Sequence, residues 1–156
     1  MDDRFRFRAW NKKLRKMVYS ESGHDWYEKR EFSPWLFVFA VGFSNYPTDG
    51  WEFMQCTGLP DRNNKLIFEG DILKVTSANH PDIDVKCIVR FGAYKHIDAS
   101  KGYENGDLGF YLDWVEKKNQ RLRNDILYWQ GNGLVEVIGN ICDNPELVNE
   151  ADNGQD

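Results

Sequence analysis

Short runs of alternating apolar and polar residues, each ended by turn-forming residues, recur along the chain and constrain its fold more than any other feature. The run over residues 5–10 reads F-R-F-R-A-W, and the run over residues 85–91 reads V-K-C-I-V-R-F. Successive side chains of a β-strand point to opposite faces, so this period of two predicts half-buried strands. Residues 16–19 are predicted to return beside the first run as its hairpin partner.

The composition supports a β-rich chain that folds without cross-links. Aromatic residues make up 15% of the 156 residues, and large rings fit pleated, half-buried strands. A chain of this length buries roughly 70% of its unfolded surface, so it needs neither disulfides nor a structural metal. Cys56, Cys87 and Cys142 are widely spaced, which predicts reduced thiols rather than a metal knuckle or a redox pair.

Turn formers divide the rest of the chain into further predicted elements. Residues 35–41 form the longest apolar run and predict a strand that is buried on both faces or packed into a subunit interface. Pro60-Asp61 predicts the start of a turn in which Asn63-Asn64 takes positive φ. The glycine-containing segment 92–109 predicts a loop. Further strands are predicted at 51–56, 66–68, 72–76, 110–114 and 134–139, and residues 116–124 predict either a helical turn or a loop.

Asn144 is a good N-cap, Pro145 suits the first helical position and Glu146 suits the first turn, so a short helix is predicted there. With about nine short strands, the predicted fold is mainly β, of the β-rich α+β class. It is a strongly bent antiparallel sheet or an SH3-like barrel with a short C-terminal helix. We predict one domain over residues 1–149, followed by an acidic, disordered tail over residues 150–156.

Charge is distributed unevenly along the chain, whose net charge is −5. Residues 1–20 sum to +5, whereas residues 143–156 sum to −5. The two ends are therefore expected to attract each other, within one chain or between subunits. An alternative hypothesis is a basic arm that binds nucleic acid, with cations on phosphates and one ring stacking on a base. Its candidate residues are Arg4, Arg6, Arg8, Trp10, Lys12, Lys13, Arg15 and Lys16.

Two acidic clusters are candidates for chemistry, and both have a simpler structural interpretation. Glu69 and Asp71 form a close pair that suits acid–base work, but capping of a strand entry is far commoner. The loop that holds His80, Asp82 and Asp84 carries metal-ligand types, but it lacks a second ligand cluster. We therefore predict no catalytic, cofactor-binding or metal-binding residue, and no cofactor. Two of the predicted strands resemble a strand pair of small SH3-like barrels, which often bind partners through surface aromatics. We predict that the aromatic rings of this pair are core residues rather than binding residues.

The compartment is predicted from two absences in the sequence. The N-terminus has no apolar run of the kind that a signal peptide needs. The apolar run 35–41 is too short to cross a bilayer. Both predict a cytoplasmic protein without a membrane partner.

Three segments, taken in order, resemble the YopX family of phage and prophage proteins. They are F-R-A-W-N with K-M-V within residues 7–18, M-Q-C-T-G-L-P-D-R-N-N-K-L-I-F-E-G-D-I-L-K-V at residues 54–75, and E-V-I-G-N-I-C-D-N-P-E-L at residues 136–147. The sequence departs from the family pattern at Asn63-Asn64, where Asn-Gly is usual. Cys56 and Cys142 stand where an aromatic is common, and residues 20–50 match nothing in the pattern.

The resemblance implies a phage or prophage origin, action inside the host bacterial cell and assembly into oligomers. It implies no known reaction and carries over no catalytic residue. Our leading hypothesis is a non-enzymatic accessory protein that acts by self-assembly and by contact with an unidentified host or phage protein. The alternative is a nucleic-acid-binding module that uses the basic N-terminal arm.

Overall fold

The structure is a computed structural model, and it describes residues 6–19, 50–77, 83–98, 103–119 and 122–149. These residues form two antiparallel sheets, one of them strongly curled into a half-barrel, together with short helices. The predicted mainly β fold with a short C-terminal helix is confirmed. Contacts group the chain into two compact units, residues 1–58 and residues 59–156. The single domain over residues 1–149 stays a prediction.

Several predicted features lie outside the described residues. They are Arg4, the apolar run at 35–41, the pair His80 and Asp82, and the acidic tail at 150–156.

The first unit contains three antiparallel strands: β1 (Phe7–Asn11), β2 (Lys16–Tyr19) and β3 (Trp51–Pro60), the last of which ends in the second unit. Strand β1 lies between the other two, with Ala9 opposite both Val18 and Phe53. This arrangement confirms the predicted hairpin between residues 5–10 and residues 16–19.

Strand β1 is buried on both faces, so the predicted half-buried strand is wrong in that respect. Ala9 is buried on one face, and Arg8 and Trp10 are buried on the other. A strand with hydrogen-bonded neighbours on both sides lies in the interior of a sheet, and a period of two does not report that position. The alternation therefore indicated the strand correctly and its burial incorrectly.

The second unit contains a four-stranded antiparallel sheet of order β7-β6-β5-β8. The elements of the second unit, in chain order, are β4 (Leu66–Phe68), β5 (Asp71–Thr76), β6 (Asp84–Asp98), β7 (Tyr103–Trp114), a 3-10 turn (Lys117–Asn119), helix α1 (Ile126–Gly131), β8 (Val135–Asn140) and helix α2 (Glu146–Asn149).

The loop predicted over residues 92–109 is wrong for the residues that the structure describes there. Strand β6 continues to Asp98 and β7 begins at Tyr103, and the two strands pair without interruption from Cys87–Trp114 to Asp98–Tyr103. Gly92 lies directly opposite Gly109, so two of the glycines that indicated a loop are partners within the ladder. Pairing between strands outweighs the weak strand preference of glycine at these positions.

The core of the second unit lies on one face of this sheet and under α1. Val85, Cys87 and Val89 share that face of β6, as their spacing predicted, and all are buried. Trp114 and Trp129 pack edge to face with ring centroids 5.7 Å apart, which joins β7 to α1. The full cluster comprises Ile67, Leu73, Val75, Val85, Cys87, Val89, Leu112, Trp114, Ile126, Trp129 and Val135.

The turn over residues 61–65 is organised by one buried carboxylate. Asp61 Oδ1 accepts hydrogen bonds from the backbone amides of Asn63 and Lys65 at 2.8 Å and 2.9 Å. Its Oδ2 accepts a bond from the amide of Val137 in β8 at 2.9 Å. Asn64 takes a φ of 64°, as the Asn-Asn pair predicted. One side chain thus holds the turn and attaches it to the far strand.

The resembling segments at residues 54–75 and 136–147 meet in this unit. Asp71 pairs with Asn140 at the start of β5, and the Ile141 amide donates to the Gly70 carbonyl at 2.9 Å. Asp71 is 1% exposed, and its Oδ2 accepts a bond from the Phe68 amide at 2.8 Å. Gly70 has a φ of 79°, a conformation that suits glycine. The E-G-D motif therefore forms a sharp turn closed by its own carboxylate.

The chain after β8 is folded tightly by asparagines. Asn140 Oδ1 accepts bonds from the amides of Cys142 and Asp143, and Asn144 Oδ1 accepts a bond from the Asn140 amide. Helix α2 then begins at Glu146, which confirms the predicted C-terminal helix. Gly139 lies against this segment, since a Cβ there would come within 2.7 Å of Asn144 Oδ1.

The Asp61 carboxylate gives the fold a specific dependence on pH. Burial by itself would raise the pKa of Asp61, but bonds from the amides of Val137, Lys65 and Asn63 and the charge of Lys65 lower it below the ordinary 3.8. A lowered folded pKa contributes stability that is present above the unfolded pKa and is lost as pH falls through the folded value. We expect the free energy of unfolding, measured by urea denaturation, to decline below about pH 4.

The variant Asp61→Asn tests this assignment. Its amide group would present a donor to the Val137 amide, so we expect a loss of about 1.5–3 kcal/mol at neutral pH and a weaker decline in acid. Asp84→Asn is the matched control, because the Asp84 carboxylate is 63% exposed and forms a surface ion pair with Lys74. An equal loss in both variants would contradict the role given to Asp61.

Replacement of Gly139 by alanine tests the close packing after β8. The added methyl would lie 2.7 Å from Asn144 Oδ1 and 2.9 Å from Leu147 Cδ1, so both must move. We expect thermal denaturation to show a loss of about 1–3 kcal/mol. Gly131→Ala is the control, since a Cβ there meets nothing within 4 Å. A Gly139→Ala protein as stable as the control would show that this segment repacks freely.

Candidate functional site

Two of the acidic candidates from the sequence, Asp71 and Asp84, have partners within the described residues. Asp71 serves the turn described above, which confirms its predicted structural role. Asp84 forms an exposed ion pair with Lys74 at 3.2 Å. Within residues 6–19, 50–77, 83–98, 103–119 and 122–149, no three His, Cys, Asp or Glu side chains are grouped to hold a metal ion.

The cysteines are free thiols, as the sequence predicted, and two of the three are buried. Burial, and then the negative charge of Asp113, raise the pKa of Cys87 far above its ordinary value. A thiol must lose its proton to act as a nucleophile or a metal ligand. Cys87 is therefore a core residue of β6.

The basic arm is divided between the interior and the surface. Arg8 is 3% exposed and its Nε donates to Met54 Sδ at 3.3 Å, and Trp10 is 8% exposed. Arg6 is half-buried. The remaining described candidates are exposed and lie around the β1–β2 turn: Lys12, Lys13, Arg15 and Lys16. The use of the arm in nucleic-acid binding stays a prediction, and burial removes Arg8 and Trp10 from its exposed candidates.

The β1–β2 turn holds its shape through one side chain. Asn11 Oδ1 accepts hydrogen bonds from the backbone amides of Lys13 and Leu14 at 3.0 Å and 2.9 Å. Arg15 closes the turn with a φ of 50°. Leu14, at the tip, is 72% exposed. The turn therefore displays an apolar side chain between cations.

A second surface lies on the part of the β6–β7 hairpin that extends past the core. Paired residues of antiparallel strands share a face, so the buried pair Val89–Leu112 is followed on the same face by Phe91–Phe110 and Ala93–Leu108. Phe91 is 50% exposed and Leu108 is 76% exposed. We call these four residues, Phe91, Ala93, Leu108 and Phe110, the ribbon face. It continues the apolar face of the core beyond the elements that cover the core.

The ribbon face has a defined shape. The rings of Phe91 and Phe110 meet edge to face with centroids 5.1 Å apart, so they form a fixed ridge. The next pair joins a small side chain, Ala93, to the larger Leu108. This surface was missed in the sequence because the glycines at 92, 102, 106 and 109 indicated a loop. The alternation from Val89 to Phe91 to Ala93 was the signal that would have revealed it.

The opposite side of the same hairpin is covered by polar and aromatic groups. Tyr94 stacks on Tyr111 with centroids 5.2 Å apart, and Tyr111 lies over Gly92. Burial, followed by the charges of Asp107 and Asp125, raises the pKa of Tyr94, so its phenol stays protonated at neutral pH. This side is therefore occupied by contacts within the chain, in contrast to the ribbon face.

Helix α1 contributes a smaller exposed group beside the core. Asp125 caps it by accepting a bond from the Leu127 amide at 3.0 Å, and the Trp129 indole donates to the Arg123 carbonyl at 2.6 Å. The Arg123 guanidinium lies 4.6 Å from the centre of the Tyr128 ring. Leu127 is 62% exposed on the same helix. It provides a useful comparison with the ribbon face because it lies on a different element.

Among the described residues, no helix combines the length and the apolar character that a membrane-spanning helix requires.

Comparison with solved structures finds a similar fold in the crystal structure of protein EF1440 from Enterococcus faecalis. The TM-score is 0.50 at 23% sequence identity, over 92% of this chain and 96% of that one. At this identity the likeness concerns the fold alone. No curated protein matches the chain.

Comparison with protein families gives a match that spans most of the sequence. The model described as YopX protein matches residues 6–149. The matched range contains every element described above, including the segments at residues 54–75 and 136–147 that meet in the second unit. The chain therefore belongs to the YopX protein family.

Proposed function

We propose that this protein is a phage or prophage accessory protein that acts through protein contacts rather than a reaction, and that it self-associates through the ribbon face. The observation that carries the proposal is the continuation of the core's apolar face past the core. The YopX resemblance supports the phage or prophage origin and the self-association.

The ribbon face has the character of a contact surface. Isolated exposed leucines are ordinary, but contiguous apolar groups on a rigid element mark interaction sites. Phe91 and Leu108 expose half and three-quarters of their surface on two adjacent strands, with Ala93 and Phe110 beside them. A two-stranded hairpin with one apolar face gains stability when another surface covers that face.

A second copy of the chain is the occupant that we favour, on grounds of shape. Around a two-fold axis the same patch faces itself, so a ridge must meet a hollow of the same patch. The Phe91–Phe110 ridge lies beside the small side chain of Ala93, and Gly106 follows opposite Lys95 on that face. Two copies that run in opposite directions would place each ridge over the other's hollow.

The size of the ribbon face sets the expected strength of the association. A phenylalanine offers about 150–250 Å² for burial, so Phe91 and Leu108 together offer on the order of 200–300 Å² per copy. Stable interfaces bury about 1,200–2,000 Å² in total. The ribbon face would therefore form the centre of a larger contact or of a weak dimer, and we expect a Kd in the micromolar range.

Sedimentation velocity over a concentration series tests the proposal. We expect the wild-type protein to shift from monomer toward dimer as its concentration rises from about 1 µM to about 300 µM. Leu108→Ser removes an exposed leucine from both sides of a two-fold contact, at a cost of about 2–4 kcal/mol. We therefore expect it to weaken the dimer at least tenfold.

Leu127→Ser is the matched control, because Leu127 is similarly exposed but lies on α1. It should leave the association constant unchanged. A wild-type protein that stays monomeric at the highest concentration, or equal weakening by both variants, would contradict the proposal. Thermal denaturation of both variants confirms that any effect is on association and not on folding.

A further inference from the structure

The tip of the β1–β2 hairpin concentrates positive charge in a chain that is acidic as a whole. Four exposed cations lie within five consecutive positions, whereas the chain has a net charge of −5. Lys12 is paired with Glu52, with Nζ and Oε1 2.8 Å apart. Within the part of the chain that the structure describes, Lys13, Arg15 and Lys16 have no acidic side chain within ion-pair distance. Their charges are therefore available to an external anion.

This cationic tip is held in one shape before any partner binds. The Asn11 side chain holds the amides of Lys13 and Leu14, and the Lys12 amide donates to the Gly50 carbonyl at 2.7 Å. A surface that is already ordered loses less conformational entropy on binding than a flexible basic tail does. The shape of the tip therefore favours a partner with a matching shape over a merely diffuse negative surface.

We infer that the β1–β2 hairpin, which we call the basic hairpin (residues 11–16), is a binding site for double-stranded nucleic acid. The major groove of B-form DNA is about 12 Å wide, and the turn of the hairpin is the part that would enter it, because β3 pairs with β1 as far as Asn11. The cations around the turn would contact phosphates, which lie at one negative charge per about 1.7 Å of duplex. This function is independent of the self-association proposed above, because it uses different residues.

Leu14 gives the basic hairpin a second recognition element. Its side chain is 72% exposed at the centre of the turn, between Lys13 and Arg15. Apolar side chains of DNA-binding proteins contact thymine methyl groups in the major groove or wedge between base steps. An exposed leucine flanked by cations suits a groove whose walls are phosphates and whose floor carries apolar groups.

An anionic membrane surface is the other macromolecule that this chemistry could attract, and the structure favours the duplex. Each cation near an anionic bilayer contributes about 1 kcal/mol, and stable attachment also needs substantial apolar burial. The basic hairpin offers one leucine, since Trp10 is buried in β1. A groove, by contrast, requires few apolar contacts and suits an ordered turn.

Fluorescence anisotropy with a labelled DNA duplex, the matching single strand and an RNA duplex tests the inference over about 20–200 mM salt. Three or four phosphate contacts predict that log K falls against log salt with a slope of about −3. We expect the DNA duplex to bind most tightly among the three probes. No detectable binding to any probe at the lowest salt would overturn the inference.

A charge-removal variant identifies the contacting residues. The triple variant Lys13→Gln, Arg15→Asn and Lys16→Gln keeps a residue that tolerates positive φ at position 15. We expect it to weaken duplex binding at least tenfold and to reduce the salt slope by about 2–3. The control removes the same charge elsewhere, through Lys65→Gln, Lys74→Gln and Lys118→Gln. Equal weakening by the control would show a general charge effect and would overturn the assignment.

Three further measurements separate the remaining explanations. Leu14→Ser should weaken duplex binding several-fold with an unchanged salt slope, because it removes an apolar contact and no charge. Vesicles that contain phosphatidylserine are the competing probe, and hairpin-dependent binding to vesicles but not to duplex would overturn the inference in favour of a membrane. Sedimentation velocity of the triple variant should match that of the wild-type protein, so a failure here leaves the self-association proposal untouched.

Discussion

The carboxylate of Asp61 joins parts of the second compact unit that lie far apart in the sequence. It accepts bonds from two amides of its own turn and from the Val137 amide, which lies 76 residues later. The residues on either side of Asp61 make two further contacts, because Arg62 donates to the Leu134 carbonyl and Gln130 donates to the Pro60 carbonyl. Three backbone donors that share one buried carboxylate are costly to leave unsatisfied. The turn between β3 and β4 therefore reverses the chain and also holds β8 through hydrogen bonds.

Local sequence signals predicted the elements whose shape is decided locally. The Asn63-Asn64 turn, the E-G-D reversal and the helix after Asn144 all follow from residues within a few positions of one another. The hairpin that contains Gly92 and Gly109 could not be predicted in this way, because each glycine is stabilised in a strand by a partner far along the chain. The burial of Arg8 could not be predicted for a related reason. It depends on which strands flank β1, and the alternation within β1 contains no information about those strands.

For the candidate surfaces too, the sequence pattern predicts which face of a strand a residue lies on but not how exposed that residue is. Val89 and Phe91 are consecutive positions on one face of one strand, yet Val89 is fully buried and Phe91 is half exposed. The pattern predicts that both residues lie on the apolar face of the strand. How far that face is covered is determined only in the folded unit. For the basic hairpin, the sequence listed the cations without indicating which of them are exposed. The structure then separated Arg8, which is enclosed, from Arg15, which is displayed at a turn. Which candidate residues can contact a partner therefore depends on their exposure, and local composition does not determine that exposure.

The enclosed thiol of Cys87 has a consequence for how the motions of this protein can be followed. It lies fully buried near the start of β6, opposite Trp114 in β7, and burial raises its pKa so that it keeps its proton. A water-soluble alkylating reagent can reach it only when β6 and its neighbours separate, whereas Cys142 is partly accessible in the closed sheet. The ratio of the two labelling rates therefore reports how often the sheet opens, and no cysteine has to be introduced for the measurement.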